Sequence, residues 1–225
     1  MKTHSGTRPL RRAIGLFIIA TANIAMGAES PVPGGCDTPA SARTSEIGCY
    51  FVASEELGAL PAGAQYWHVY TFATRAAAEA ARGPRATVAE SFGKVWLYTL
   101  AEQSWRPAGG ERAAVIGPLG ITPGRNYTAR YMEATFTPGM KTPAHHHPGP
   151  EAWYVVSGTQ CLETPDGVTV AHAGQGAYVR EGPPMVLSSI GSETRRAVLL
   201  ILHDASRAFS EPNHTNWTSR GLCPP

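Results

Sequence analysis

Charged side chains are scarce in this chain: Asp, Glu, Lys and Arg make up 16% of 225 residues, beside 24 glycines and 19 prolines. That balance argues against long surface helices and for many short strands joined by turns. An internal repeat is also lacking, and the first half contains no second H-x-H, which argues against a duplicated protein with two sites. No cysteine pair has the C-x2-C spacing of a Cys-rich zinc site. The apolar run Ala13 to Ala25 is too short, and too soon followed by small polar, proline and glycine residues, to make a membrane-spanning helix the first reading, with a retained N-terminal anchor as the second.

What the chain does have begins with Lys2, Arg8, Arg11 and Arg12, followed by that apolar run and by the small residues Gly27 and Ala28. This is the layout of a secretory signal peptide, predicted here for residues 1–28 with cleavage near Ala28. Its removal takes away four bases and no acids, leaving 15 bases against 17 acids and a mature net charge of −2. No basic patch then remains to engage nucleic acid, and no stable membrane span is expected after cleavage. The predicted destination is exported, either periplasmic or extracellular. There the four cysteines, Cys36, Cys49, Cys161 and Cys223, are candidates for two disulfides. Cys36 and Cys49 flank a loop and would pair with each other or with Cys223, whereas Cys161, inside a predicted strand, reads as a buried free thiol.

With 43% hydrophobic residues, the length suits one domain with a substantial core and a smaller extension. Residues 29–45 are rich in Pro, Gly, Ser and Thr and read as a linker or irregular arm. A small α+β extension is expected over 46–119, with strands at 65–72, 86–91 and 94–100 and an Ala-rich helix at 75–82 capped by Thr74. His68 lies in the first of these strands without a ligand partner and reads as structural. The turn-dense stretch 106–126 separates this extension from a region of regular strand signals at 127–137, 152–157, 159–163, 168–171, 177–179, 186–190 and 195–203. Pro165-Asp166-Gly167 marks a hairpin between two of them. So many short strands predict an all-β sandwich or barrel over 120–205, followed by a tail, 206–225, that wraps the outside.

Within that region lies the one stretch where ligand-type residues recur at regular spacing, Gly139 to Gly158. On an extended strand His145 and His147 project to the same side and His146 to the other. Pro148, Gly149 and Pro150 can then turn the chain and return the Glu151 carboxylate to the same point. Two imidazoles and a carboxylate are the ligand set of a facial metal site with open positions.

Gly139, His145, His147, Glu151 and Gly158 occupy every fixed position of G-x5-H-x-H-x3-E-x6-G, and on these residues the chain resembles the cupin superfamily. The second cupin motif, G-x5-P-x-G-x2-H-x3-N, falls on Gly174 to Ser189. There Gly174 and Gly182 match, but Arg180 replaces the proline, Met185 the metal-binding histidine and Ser189 the asparagine. The resemblance covers roughly residues 120–205. It implies a mainly β, cupin-type jelly-roll barrel with the α+β segment as an N-terminal extension.

The resemblance also implies a divalent metal ion, with Fe, Mn, Cu, Zn and Ni all compatible, held by His145, His147 and Glu151. Three roles are open for Met185: the triad works alone, the thioether adds a soft ligand that favours copper, or the site is degenerate. The expected function is that of an exported metal-binding cupin acting on a small organic molecule, with dioxygenase-like chemistry as one form. The alternative is a noncatalytic small-ligand-binding or sensing cupin. A homodimer through edge strands is a further implication of the resemblance.

Overall fold

The computed structural model describes residues 1–2, 35–212 and 216–225. Apart from Met1 and Lys2, the predicted signal peptide lies outside the described residues. No helix among the described residues is long and apolar enough to cross a membrane.

Three sheets are layered. The central sheet has five strands in the order β1 (Gly48–Ala59), β6 (Asn126–Phe136), β13 (Arg195–Asp204), β8 (Glu151–Ser157) and β11 (Gly176–Val179), each antiparallel to its neighbours. Its two faces follow the strand period of two. Met132, Ala134 and Phe136 of β6, Trp153 and Val155 of β8, and Leu199 and Ile201 of β13 enter one apolar cluster. They meet Leu162, Ala171 and Leu187 from the three-stranded sheet of β10 (Gly167–His172), β9 (Thr159–Thr164) and β12 (Val186–Ile190). These two sheets form the jelly roll, and the space between them holds the candidate site.

The opposite face of the central sheet presents Tyr127, Ala129, Tyr131, Val198, Leu200 and Leu202. It packs on the four-stranded sheet of β3 (Ala86–Ser91), β4 (Lys94–Ala101), β2 (Gln65–Phe72) and β5 (Glu111–Leu119). Trp67, Trp96 and Tyr98 are fully buried in this second cluster, where Tyr98 stacks on Tyr131 at 4.8 Å between centroids. Each such side chain contributes about 1.5–3 kcal/mol through burial. The aromatic residues of the N-terminal segment are therefore packing residues. On the far side of this sheet lies α1 (Arg75–Ala80), whose buried Ala78 packs with Tyr70, Val88 and Leu97. Thr74 caps it, its hydroxyl accepting from the Ala77 amide at 3.1 Å.

Several features differ from the reading of the sequence. β1 falls inside the stretch expected as an extension, yet it hydrogen-bonds to β6 and completes the central sheet. It is an edge strand with register shifts at Phe51/Ala53 and Glu56/Gly58, which hide its alternation. β5 occupies part of the turn-dense stretch, and its Gly117-Pro118 pair is tolerated because the strand is also an edge. Cys161 is not a free thiol: it is bonded to Cys223, and Cys36 is bonded to Cys49. The reason is topological, since Cys161 faces away from the barrel interior and the tail crosses that outer face. Buried Glu163, also on β9, fixes the same tail by accepting from the Ser219 hydroxyl and the amides of Arg220 and Leu222.

Candidate metal centre

His145 and His146 form β7, which pairs with β14 (Glu211–Pro212) of the C-terminal tail. On its other side His145 exchanges both backbone hydrogen bonds with Met185, at 3.2 and 2.8 Å. The chain then turns through Pro148-Gly149-Pro150. That turn is stitched to β13 by the Leu202 amide donating to the Pro150 carbonyl (3.0 Å) and the Asp204 amide donating to the Pro148 carbonyl (2.8 Å). Glu151 follows as the first residue of β8. One ligand atom from each of His145, His147 and Glu151 then lies within 4.8 Å of the others.

The rings are oriented for lone-pair donation. His147 Nδ1 lies 2.6 Å from the Phe209 carbonyl, and His145 Nδ1 lies 2.9 Å from the Pro143 carbonyl. A carbonyl oxygen only accepts, so each Nδ1 carries the proton and each Nε2 keeps its lone pair. His147 and Glu151 are 3% and 4% exposed, and His147 Nε2 and Glu151 Oε2 face each other at 3.5 Å with no hydrogen-bond partner. A metal ion placed between two such buried donors satisfies both at once. The residues present therefore fit a metal ion.

Burial lowers the proton affinity of His145 and the adjacent His147 lowers it further, against the pull of Glu151. For Glu151, burial acts to raise the pKa, but His147, His145 and Arg195 together outweigh it and leave the carboxyl below its ordinary value. Neutral imidazoles beside a carboxylate are the protonation states that ligation needs.

The triad opens on a cavity of roughly 520 Å³ whose wall is mainly apolar, with Met132, Phe136, Leu187, Leu199 and Ile201 among its residues. Its mouth is edged by Gly35 to Asp37 of the N-terminal arm and by Phe209 to Pro212 of the tail. Arg130 joins these two edges, donating to the Cys36 carbonyl and the Asp37 carboxylate while its guanidinium lies 4.1 Å from the Phe209 ring centroid.

The remaining candidates are placed as follows. His146 turns toward the tail, with Nε2 3.2 Å from Glu211. Met185 is 1% exposed and belongs to the apolar cluster of the jelly roll without lining the cavity, although pairing places it opposite His145. Tyr131 and Glu133, on the strand that enters the motif, face the four-stranded sheet and not the cavity, and the Glu133 carboxylate accepts from Arg43 and Ser91 there. Arg180 is exposed and paired with Asp166, and buried Ser189 donates to the Phe136 carbonyl. His68 is fully buried and bonds through Nε2 to the Glu102 carbonyl.

Sequence reasoning missed Phe209, which orients His147, and Arg195, which reaches the cavity. For Arg195 a signal existed: it shares strand parity with Leu199 and Ile201 and so occupies an inward position of an apolar strand. For Phe209, in a stretch without periodicity, there was none.

A jelly roll whose interior carries a His-His-Glu cluster defines a small-barrel protein with, among the described residues, one candidate metal site. Residues 132–201 match the family model described as a cupin domain. Solved structures similar to part of the chain include a cupin superfamily protein from Desulfitobacterium hafniense, with 12% identity, 38% of this chain and 74% of that one covered, and a TM-score of 0.32. Others are a DMSP lyase from Ruegeria pomeroyi (13% identity, 40% and 45% covered, TM-score 0.35) and a recombinant oxalate oxidase in complex with glycolate (20% identity, 40% and 49% covered, TM-score 0.32). The match spans less than half the length of the lyase and of the oxidase, and those activities belong to those proteins. No curated protein matches the chain.

Proposed function

We propose that this protein is an exported, metal-dependent cupin that acts on a small organic molecule held in the barrel cavity. The observation that carries this reading is the pair of orphaned donors, His147 Nε2 and Glu151 Oε2, buried at the base of an apolar cavity. A divalent ion bound there would supply Lewis acidity and open coordination positions for a substrate oxygen or water. The chain's own part is to fix the tautomer of both imidazoles through the Phe209 and Pro143 carbonyls so that each Nε2 faces the site, to keep Glu151 ionised and to exclude bulk water with the apolar wall. Oxygen-dependent oxidation is the finer form of the proposal, since two histidines and a carboxylate suit Fe(II). The two disulfides support export to an oxidising compartment.

The test is metal content of the purified full chain beside His145→Ala and Glu151→Ala. The wild type is expected to carry close to one equivalent. Disturbing groups that only orient ligands typically costs 10–100-fold in affinity, so removing a ligand should cost more than about 100-fold. Metal-free wild type that takes up no ion better than either variant would sink the proposal. Oxygen consumption with phenols, enols and acids then separates oxidation from other chemistry.

A further inference from the structure

Arg195 is fully buried, begins β13 and lines the same cavity as the triad. Its Nη2 donates to the Gln160 side-chain oxygen, and its guanidinium lies 5.1 Å from the Phe136 ring centroid. Among the described residues, its Nε and Nη1 have no hydrogen-bond partner, and neither has Gln160 Nε2 beside it. Burial pushes the guanidinium down to about 9, and the Glu151 carboxylate opposes that fall. A buried cation without a paired anion is costly, and the cost is removed only by a counter-charge that also accepts hydrogen bonds. A metal held by Glu151 draws on that carboxylate's charge and leaves it a weaker counter-charge for Arg195. With a divalent ion, Glu151 and Arg195 together, the interior carries an excess of positive charge. Nη2 carries a second N–H, and together with the free N–H of Nε or of Nη1 it makes a planar fork that matches a carboxylate.

We propose that Arg195 is the anchoring residue for a carboxylate, so that the molecule taken into the cavity is a small organic acid with an apolar body. The guanidinium supplies the donors, Phe136 and Leu199 cover the hydrocarbon part, and the free end of the acid is left to face His145, His147 and Glu151. This rests on the cavity being the substrate site proposed above, but it does not require the metal to be catalytic.

The test compares calorimetric binding of hexanoate, cyclohexanecarboxylate and benzoate with that of their neutral amides. It uses the full disulfide-bonded chain, both as purified and after chelation. At least one acid is expected to bind about tenfold or more tighter than its amide, in both preparations, because charge-assisted hydrogen bonds exceed neutral ones. Arg195→Met is expected to abolish that preference while taking up Zn(II) as the wild type does. Arg195→Lys, which keeps the charge without the fork, should retain only part of the preference. Retained preference in wild type that takes up no metal would end the metal proposal and support this one. Acids that bind no better than their amides to the wild type overturn the assignment, as does a preference that survives in Arg195→Met. The wild-type comparison stands even should Arg195→Met fail to fold.

Discussion

Backbone carbonyls from Pro143 and Phe209 decide which nitrogen each imidazole offers, so the ligand set depends on residues that carry no ligand chemistry. Met185 poses the opposite case, a side chain with ligand chemistry set in an apolar cluster. Replacing it with leucine conserves volume and should cost less than about 1.5 kcal/mol. Metal titration of Met185→Leu is expected to give wild-type affinity for Zn(II) and Cu(I) alike. A fall of about tenfold or more for Cu(I) alone would instead make the thioether a ligand, since soft sulfur favours that ion. The triad was legible in the sequence because its members sit within seven residues of one another, on a strand and the turn after it. Arg195 and Phe209 reach the same cavity through strand pairing and tail docking, neither of which local spacing records.

Between β7 and β8 the Pro148-Gly149-Pro150 turn carries the geometric burden. A Cβ on Gly149 would lie 1.9 Å from the Leu202 carbonyl oxygen, so the turn can press against β13 only with glycine there. Gly158, the last fixed glycine of the motif, is held at φ +69° with the Arg195 backbone 2.8 Å from where its Cβ would be. Gly149→Ala is therefore expected to push the turn away from β13, lowering stability by about 1–3 kcal/mol and weakening metal binding with it. Thermal unfolding and metal titration on the same sample check this. Undiminished metal affinity in a destabilised Gly149→Ala would mean that Glu151 is positioned by β8 alone. The central strands β6, β8 and β13, buried on both faces, could be read from the sequence as apolar and β-branched runs. The edges β1 and β5 could not, because bulges and a proline that only an edge tolerates erase the period.

Across the molecule, both ends of the described chain converge on the barrel. The arm is joined to β1 by Cys36–Cys49, and the tail to β9 by Cys161–Cys223, while Gly35 to Asp37 and Phe209 to Pro212 edge the cavity. Tail and metal site are thus coupled, since Phe209 orients His147 and Glu163 fixes the segment that follows. Burial acts to raise the Glu163 pKa, but the Ser219 hydroxyl and the amides of Arg220, Leu222 and Gly221 outweigh it, leaving the carboxyl below its ordinary value. A carboxyl depressed in the folded state stabilises it fully above the unfolded pKa and loses that contribution as pH falls through the folded one. Tail docking should therefore hold at neutral pH and weaken only below about pH 4.3, the ordinary glutamate value. Amide exchange at Arg220 and Leu222, corrected for intrinsic rate, is expected to lose protection across that acidic window in the wild type. In Glu163→Gln the protection should be reduced at every pH and show no step, with Cys161–Cys223 still holding the chain in reach. A step of equal size in the variant would assign the transition to another group and remove Glu163 as the tail's anchor.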